Sequence, residues 1–577
     1  MISRILYADL TTGTVAAREE KLERPLGLGG KALALALLES RLDPRAEASS
    51  PDNPVILTSS PMAEYAFPGS SRGGAFTRSP LTNRFLESYS GGAIGRSLKE
   101  AGWDAVVIEG RAKEPVRLHV DSEGGSLESA SDLWGKDVFE SDDALLCFGD
   151  RRMTRLVIGP GGENGAAFAS VHNDKFHAFG RGGLGTVFGS KRLKAVTVQS
   201  PGPSRREGGT AFEAARSKVA AEAKDSPSAN AYRRLGTPMM VALLNEAGGF
   251  PSRYWSKGVA PHRERLEAES YRDWAEVKTE SCAPCPMRCR KRLQIKEGKF
   301  AGRAIHGPEY ESIYAFGGLC MIEDPQEVAF LHEECNRLGV DTITAGNVIG
   351  LAMAARDEGL RDDAPEFGDF DATLELLRSM AAGNGGLAGL LAGGVRPAAA
   401  ELGLEEAAVH VKGMDPAGYD PRALKGMALA YASSPRGACH LRATFYKPIL
   451  GGLTDDLDEQ GLAKLFLDFE DRLFLHDCLV MCRFYRDYLD WETLAAMTGE
   501  LAGQTITPED LRQTVRALLT RVRRLNFALG MTADEDRLPS RFFTEELERA
   551  QPLEQSEFDR TMAAYYELRG WPGGRPA

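Results

Sequence analysis

"GGAIGRSLKEAGWDAVVIEG" (91–110) and "GGLGTVFGSKRLKAVTVQS" (182–200) follow one plan. Each runs from a glycine pair, through a further glycine and a basic segment, into an apolar strand. A duplicated half-domain would produce this echo. Glycine turns ahead of strands would also look alike. Working outward, the first 200 residues read as β-rich: "PVILTSS", "VRLHV" and "RLVIG" are further strand candidates between glycine clusters. One helix, "KALALALLESRL", interrupts them. After the linker "SPGPSRREGG" (200–209) the apolar residues take a helical period and keep it to the end. A second break falls near 410, in "AVHVKGMDPAGYDPR". The expected class is α+β: a β-rich domain over 1–203, then two mainly helical domains over 204–410 and 411–577.

The 577 residues are 43% hydrophobic and 26% charged, an ordinary globular balance. A net charge of −12 argues against a nucleic-acid binder, which would present a basic face. No apolar run approaches the roughly 18 residues of a membrane span. Asp9 interrupts the apolar part of the N-terminus, so no signal peptide is expected and the cytoplasm is the predicted location.

Nine cysteines, an odd number, argue against a disulfide framework. Cys282, Cys285 and Cys289 cluster in "ESCAPCPMRCRKR" (280–292), and Cys478 and Cys482 lie far downstream. The spacing Cys-x-x-Cys-x-x-x-Cys suits one soft metal centre, zinc or an iron–sulfur cluster. Cys482 is the natural fourth ligand. Cys147, Cys320, Cys335 and Cys439 stand alone. Arg288, Arg290, Lys291 and Arg292 surround the last clustered cysteine. They form either a solvated face or, with Arg290 and Lys291 foremost, a docking patch for an acidic partner. Gly180–Gly185 is formally G-x-G-x-x-G, but polar "HNDKFHAF" precedes it, so it is a poor dinucleotide fingerprint. It remains a candidate anion cradle with Arg181, like "YSGGAIG". Such loops beside a cysteine cluster suggest a large phosphate-bearing cofactor.

Taken in order, "SPLTNRFLESYSGGAIG", "AGWDAVVIEG", "GPGGEN", "GRGGLGTVFGSKRLKA", "CAPCPMRC", "GPEYESIYAFG", "LGVDT", "YASSPRGACH", "DCLVMC" and "YYELRGW" make the chain recognisable. It resembles the tungsten-dependent aldehyde:ferredoxin oxidoreductase family over essentially its whole length. The resemblance implies an N-terminal domain whose two related halves hold two pyranopterin dithiolenes, an internal two-fold pseudo-repeat. It implies tungsten (or molybdenum) between them, Mg2+ bridging the pterin phosphates, and a 4Fe–4S cluster on Cys282, Cys285, Cys289 and Cys482. Arg72 matches the arginine between cluster and pterin. Asn336, Asp341, Asp477 and Met481 fall in the pterin motifs, and Ser90, Gly91, Arg181, Gly182 and Gly183 in the phosphate loops. Glu311 and His440 match the acid and the histidine beside the metal.

Four positions depart from the family pattern. Asn336 replaces an aspartate, Val480 a glycine, Tyr89 an asparagine of the magnesium loop, and Phe330 the glutamate of a subunit-bridging iron site. The familiar dimer is therefore not assumed, although an oligomer stays open. Cys320, nine residues after Glu311, is a candidate tungsten ligand, as in some relatives, and otherwise a small buried hydrophobe. The resemblance implies interconversion of aldehydes and carboxylic acids. Glu311 would act as general base and His440 as hydrogen-bond donor, with electrons leaving through the cluster to ferredoxin or a ferredoxin-like iron–sulfur subunit. The alternatives are a related tungsten reductase acting on an aromatic CoA thioester, and a non-catalytic zinc protein.

Overall fold

In the computed structural model, residues 2–148, 152–203, 206–282 and 285–576 are described, the side chains of Cys147 and Phe148 excepted. The side chain of Cys147, part of the linker (204–205) and two residues of the cysteine motif (283–284) thus lie outside what is described.

The N-terminal region forms two six-stranded sheets. The first contains β1 (Ile2–Asp9), β2 (Thr14–Lys21), β3 (Val55–Thr58), β4 (Gly73–Arg78), β5 (Phe85–Ser90) and β6 (Ala105–Glu109). The second contains β7 (Val116–Val120), β8 (Gly125–Ser129), β9 (Met153–Val157), β10 (Val171–Asn173), β11 (His177–Phe179) and β12 (Leu193–Gln199). Their orders are β2-β1-β6-β3-β4-β5 and β8-β7-β12-β9-β10-β11. In both, the first and sixth strands of the set pair in parallel and every other neighbour pairs antiparallel. The two stretches that opened the sequence occupy matching places. Each joins the fifth strand to the sixth through a short helix, Ile94–Glu100 or Leu184–Ser190.

Central strands such as "AVVIE" and "VILT" are apolar on both faces because both faces are covered. The outer strand β2, "TVAAREEK", is largely exposed and charged, as an unpaired edge requires. Leu6, Val106 and Ile108 share one buried cluster with Leu118, Val196 and Val198 of the other sheet and with Leu98 and Val187 of the short helices. Each such side chain contributes about 1.5–3 kcal/mol over its exposed state.

From Thr210 onward helices dominate, among them Pro325–Leu338, Thr342–Asp357, Glu459–Cys478, Pro508–Ala528 and Gln555–Arg569. One element departs from the expected helical texture. β13 (Ala275–Glu280), β14 (Arg290–Ile295) and β15 (Ala304–His306) form an antiparallel sheet, and the clustered cysteines lie in its first connection. The period-2 burial of "RKRLQI" accompanies it; a lysine at the buried position 291 and the basic neighbours Arg290 and Arg292 hide the alternation. Residues 409–425 are irregular and thread beneath the helices. No helix among the described residues is long and apolar enough to cross a membrane.

Candidate functional site

A cavity of about 450 Å3 lies where both sheets' loops meet the helical region. Arg72, Gly91, Arg181, Cys282, Cys285, Cys289, Glu311, Asn336, Asp341, His440, Asp477, Met481 and Cys482 all line it. Residues from four distant parts of the chain thus converge.

The thiols line one end of the cavity. Cys282 Sγ lies 3.3 Å from the Gly92 amide, which donates to it, and 3.3 Å from His177 Nε2. Cys285 Sγ lies 3.2 Å from Tyr485 Oη, and the Cys482 amide donates to Gly69 O at 3.0 Å. Burial, then the neighbouring thiols, push Cys285 up; burial, then Glu309 and the other thiols, push Cys289 up further. Among the described residues, no three His, Cys, Asp or Glu side chains converge on the point a single ion would occupy. Cys478 is fully buried and does not line the cavity.

Behind the thiols lies a buried charge network. Glu87 pairs with Lys31 at 2.9 Å and Arg442 at 2.6 Å, and Asp477 pairs with Arg442 at 2.8 Å and Arg483 at 2.6 Å. Burial alone would raise Glu87, but Arg442 and Lys31 hold it down at about 2. Arg436 donates to Glu87 O at 2.6 Å and to Cys439 Sγ at 3.0 Å. Burial acts to raise the Cys439 thiol, yet Arg436 and Arg442 bring it down to about 7. Arg72 reaches the cavity with Nη2 donating to Tyr89 O at 2.8 Å. Seven arginines line the cavity, against the carboxylates of Glu309, Glu311, Asp341 and Asp477. Arg436 Nε, Arg442 Nε and Arg290 Nε are buried without a partner. Surplus guanidinium and unpartnered donors suit a bound polyanion.

Glu311 and His440 face each other, His440 Nε2 lying 3.4 Å from Glu311 Oε1. Burial pushes the Glu311 carboxyl up to about 8, against a 3.1 Å hydrogen bond from the Gly418 amide. Burial, then Arg181 and Arg436, hold His440 well below the usual imidazole value. The spacing resembles an ion pair, but both shifts favour the neutral forms, and near pH 7 the pair is a neutral acid beside a neutral imidazole. Glu311 Oε1 and His440 Nδ1 are buried without hydrogen-bond partners. Tyr310, Tyr419 and Tyr446 form the adjoining wall, Tyr419 and Tyr446 stacked at 4.2 Å.

Four expected site residues do not line this cavity. Ser90 is fully buried, its hydroxyl 3.2 Å from Gly91 O. Gly182 and Gly183 have φ of 93° and 85°, and a Cβ on Gly183 would meet Ala167 O at 2.1 Å. Both are closely packed in the loop ahead of Leu184–Ser190. Cys320 is fully buried, 3.4 Å from Gly346 O, and burial alone pushes its thiol up. Its helix takes a π-type turn over Ile313–Leu319, and Gly318 packs against Pro251 O and Phe250. Cys320 is enclosed in the core and does not line the cavity. Arg181, expected in a phosphate loop, instead spans Asp341 at 3.1 Å and Asp415 at 2.7 Å. The basic run also changes character. Lys291 is buried, its ammonium donating to the carbonyls of Tyr232 and Cys289 at 3.2 Å each, and Arg290 pairs with Glu280 at 2.6 Å. Only Arg288 and Arg292 are exposed. Sequence reasoning missed Glu87, His177, Arg436, Arg442 and Arg483; the arginines flanking "GACHL" were the available signal.

Two family models match. "Aldehyde ferredoxin oxidoreductase, N-terminal domain" covers residues 5–200, and "Aldehyde ferredoxin oxidoreductase, domains 2 & 3" covers 214–577. The tungsten-containing aldehyde ferredoxin oxidoreductase of Pyrococcus furiosus is 30% identical, over 98% of this chain and 96% of its own. That of Thermococcus kodakarensis is 31% identical with the same coverage. The WOR-like subunit of the Pyrococcus furiosus aliphatic sulfonate oxidoreductase is 26% identical over 87% of this chain and 82% of its own. Among solved structures, a chain of the active-site complex BamBC of benzoyl coenzyme A reductase, in complex with 1,5-dienoyl-CoA, superposes with a TM-score of 0.83 at 20% identity. It covers 100% of this chain and 96% of that one, a likeness of fold.

Proposed function

The chain belongs to the aldehyde ferredoxin oxidoreductase family, and on that premise we propose that it interconverts aldehydes and carboxylic acids, exchanging electrons with ferredoxin or a ferredoxin-like subunit. The observation that carries the reading is the cavity itself. It joins four cysteines, a surplus of arginines and the neutral Glu311–His440 pair. Cys282, Cys285, Cys289 and Cys482, which line one cavity, would hold a 4Fe–4S cluster, whose irons take a cysteine thiolate each. Arg72, Gly91, Asn336, Asp341, Asp477 and Met481 would hold a bis-pyranopterin with tungsten or molybdenum, with Mg2+ near the Tyr89–Ser90 backbone. When bound, that group supplies the two-electron redox chemistry and the cluster its single-electron exit. The equal strand order of the two sheets supports a duplicated cofactor-binding domain over 1–203, with 204–410 and 411–577 closing over it.

The half-reaction converts aldehyde and water into acid, two protons and two electrons. Glu311 as carboxylate takes a proton from water, and His440 Nδ1, free of partners, is placed to hydrogen-bond the substrate oxygen. Buried tyrosines around the pair exclude solvent and keep the acid's affinity for protons high. A cysteine thiolate on the metal would favour the reductive alternative, and Cys320 lies buried in the core. Cys320→Ser should leave tungsten-edge X-ray absorption unchanged; loss of a sulfur neighbour would restore that alternative. Anaerobic purification followed by metal analysis and aldehyde-dependent dye reduction tests the main reading.

The electron partner would dock at the thiol end, where Arg288 and Arg292 are exposed on a protein of net charge −12. Charge reversal at Arg292, which does not line the cavity, should slow reduction of an acidic ferredoxin severalfold at low salt, with the effect fading as salt rises. Turnover with a small neutral dye should hold. Equal slowing with both acceptors would place the docking surface elsewhere.

A further inference from the structure

Glu311 does not orient itself. Its Oε2 accepts from the Gly418 amide at 3.1 Å, and that amide belongs to an irregular buried stretch, Asp415–Tyr419. Buried carbonyls with no ladder to join need other donors. Three phenols supply them. Tyr314 Oη donates to Pro416 O at 2.6 Å, Tyr431 Oη to Ala417 O at 2.9 Å, and Tyr310 Oη to Gly418 O. Tyr310 and Tyr314 flank Glu311 on its own helical segment, one turn apart, so the acid and the holders of its donor move as one piece. Gly418 is enclosed: a Cβ there would meet the Tyr314 ring at 2.6 Å and Tyr310 Oη at 3.0 Å.

The arrangement extends outward. Asn347 Nδ2 donates to Tyr314 Oη at 2.9 Å, and Trp255 Nε1 donates to Asn347 Oδ1 at 2.9 Å. Trp255 ends a run of three residues in left-handed backbone, Arg253, Tyr254 and Trp255, with φ of 42°, 44° and 64°. Such a run is costly for non-glycine residues and persists only where its surroundings over-determine it. Here the Arg253 and Tyr254 amides cap Gly318 O and Leu319 O at 3.0 and 3.1 Å, and Arg541 and Arg422 hold the carbonyls of Tyr254 and Trp255.

We propose that Tyr314 and Asn347, braced by the left-handed turn at Trp255, are positioning residues that hold the Gly418 amide on Glu311 and thereby set its orientation as the acid–base group. The inference rests on the role assigned to Glu311 in the preceding subsection. The charged or titratable groups facing Glu311 from other elements are Arg181, Asp341, Cys439 and His440, with the phenols of Tyr310, Tyr314, Tyr419, Tyr431 and Tyr446 around them. Substitution of Asn347 leaves all of them in place, and substitution of Tyr314 removes only its own hydroxyl.

The test is a difference-infrared titration of the Glu311 carboxyl in the purified holoenzyme, its band assigned by loss in Glu311→Gln. Loosening the amide weakens support for the carboxylate. The midpoint should therefore rise by about half a unit to one unit in Tyr314→Phe and in Asn347→Leu. The kcat should fall about tenfold with little change in KM, as expected when orientation rather than binding is lost. Tyr565→Phe removes a buried phenol that donates to Glu470 at 2.9 Å, and should leave the midpoint unmoved while costing comparable stability. An unmoved midpoint in both Tyr314→Phe and Asn347→Leu overturns the proposal; if Tyr314→Phe does not fold, Asn347→Leu alone decides. Wild-type turnover in Glu311→Gln would overturn the base assignment instead, and the infrared midpoints would still decide the clamp.

Discussion

Cys482→Ala should lower iron to near zero, whereas Cys478→Ala should keep it. The two thiols stand one helical turn apart in sequence, yet their surroundings differ. Cys482 lies past the end of the helix Glu459–Cys478, lines the cavity, and is tied by its amide to Gly69 O at 3.0 Å. Cys478 is fully buried, beside the helix that begins at Gly30, and burial pushes its thiol up, away from the thiolate that a cluster needs. Alanine at Cys282, Cys285 or Cys289 should act as Cys482→Ala does. Iron and labile sulfide per chain, measured under anaerobic conditions, check this. Equal loss in Cys478→Ala and Cys482→Ala would show that the fourth ligand is wrongly assigned.

Glu311→Gln should lower kcat by about 10²- to 10⁴-fold, the usual contribution of a positioned general base. The amide keeps the side chain's shape and can still accept from Gly418, so the loss reports the missing base. Burial lifts this carboxyl from 4.5 to about 8, so the carboxylate grows as pH rises through 8. Aldehyde oxidation should therefore climb between about pH 7 and pH 9. Acid reduction, which needs the protonated form, should decline over the same window. Stability has its own sign. Between 4.5 and about 8 the folded chain holds a proton that the unfolded chain has released, so this group lowers stability as pH rises. Glu311→Gln should flatten both dependences. A pH–rate profile of the variant that keeps the wild-type alkaline rise would remove Glu311 from the chemistry.

Legibility in the sequence followed the physics of each element. The strands of the two sheets were readable because fully buried strands are apolar runs, and "AVVIE" and "KAVTV" have few other uses. The cysteine spacing announced a soft-metal site, and the resemblance brought Cys482 to it. β13–β15 were hidden because their polar positions are Arg, Lys and Glu, which also suit an exposed helix. The roles of Arg181 and Lys291 depend on partners far away in sequence: Arg181 pairs with Asp341 and Asp415, and Lys291 donates to the carbonyl of Tyr232. No local pattern distinguishes such a cation from one that faces solvent. The burial of Cys320 was hidden for a similar reason. A lone cysteine can bind metal or pack as a small hydrophobe, and distant neighbours from Phe250 to Leu266 fill the space around the segment that carries it.

The central claim is that this cavity interconverts aldehydes and acids while its four cysteines carry the electrons. The most direct test is the stoichiometry of acid formed to ferredoxin reduced when an aldehyde is added to the anaerobically purified protein carrying its metals. The account predicts one molecule of acid for about two electrons delivered, as oxidation to the acid requires. Protein replete in iron and in tungsten or molybdenum that reduces ferredoxin without forming acid, or forms none from any aldehyde, would contradict it.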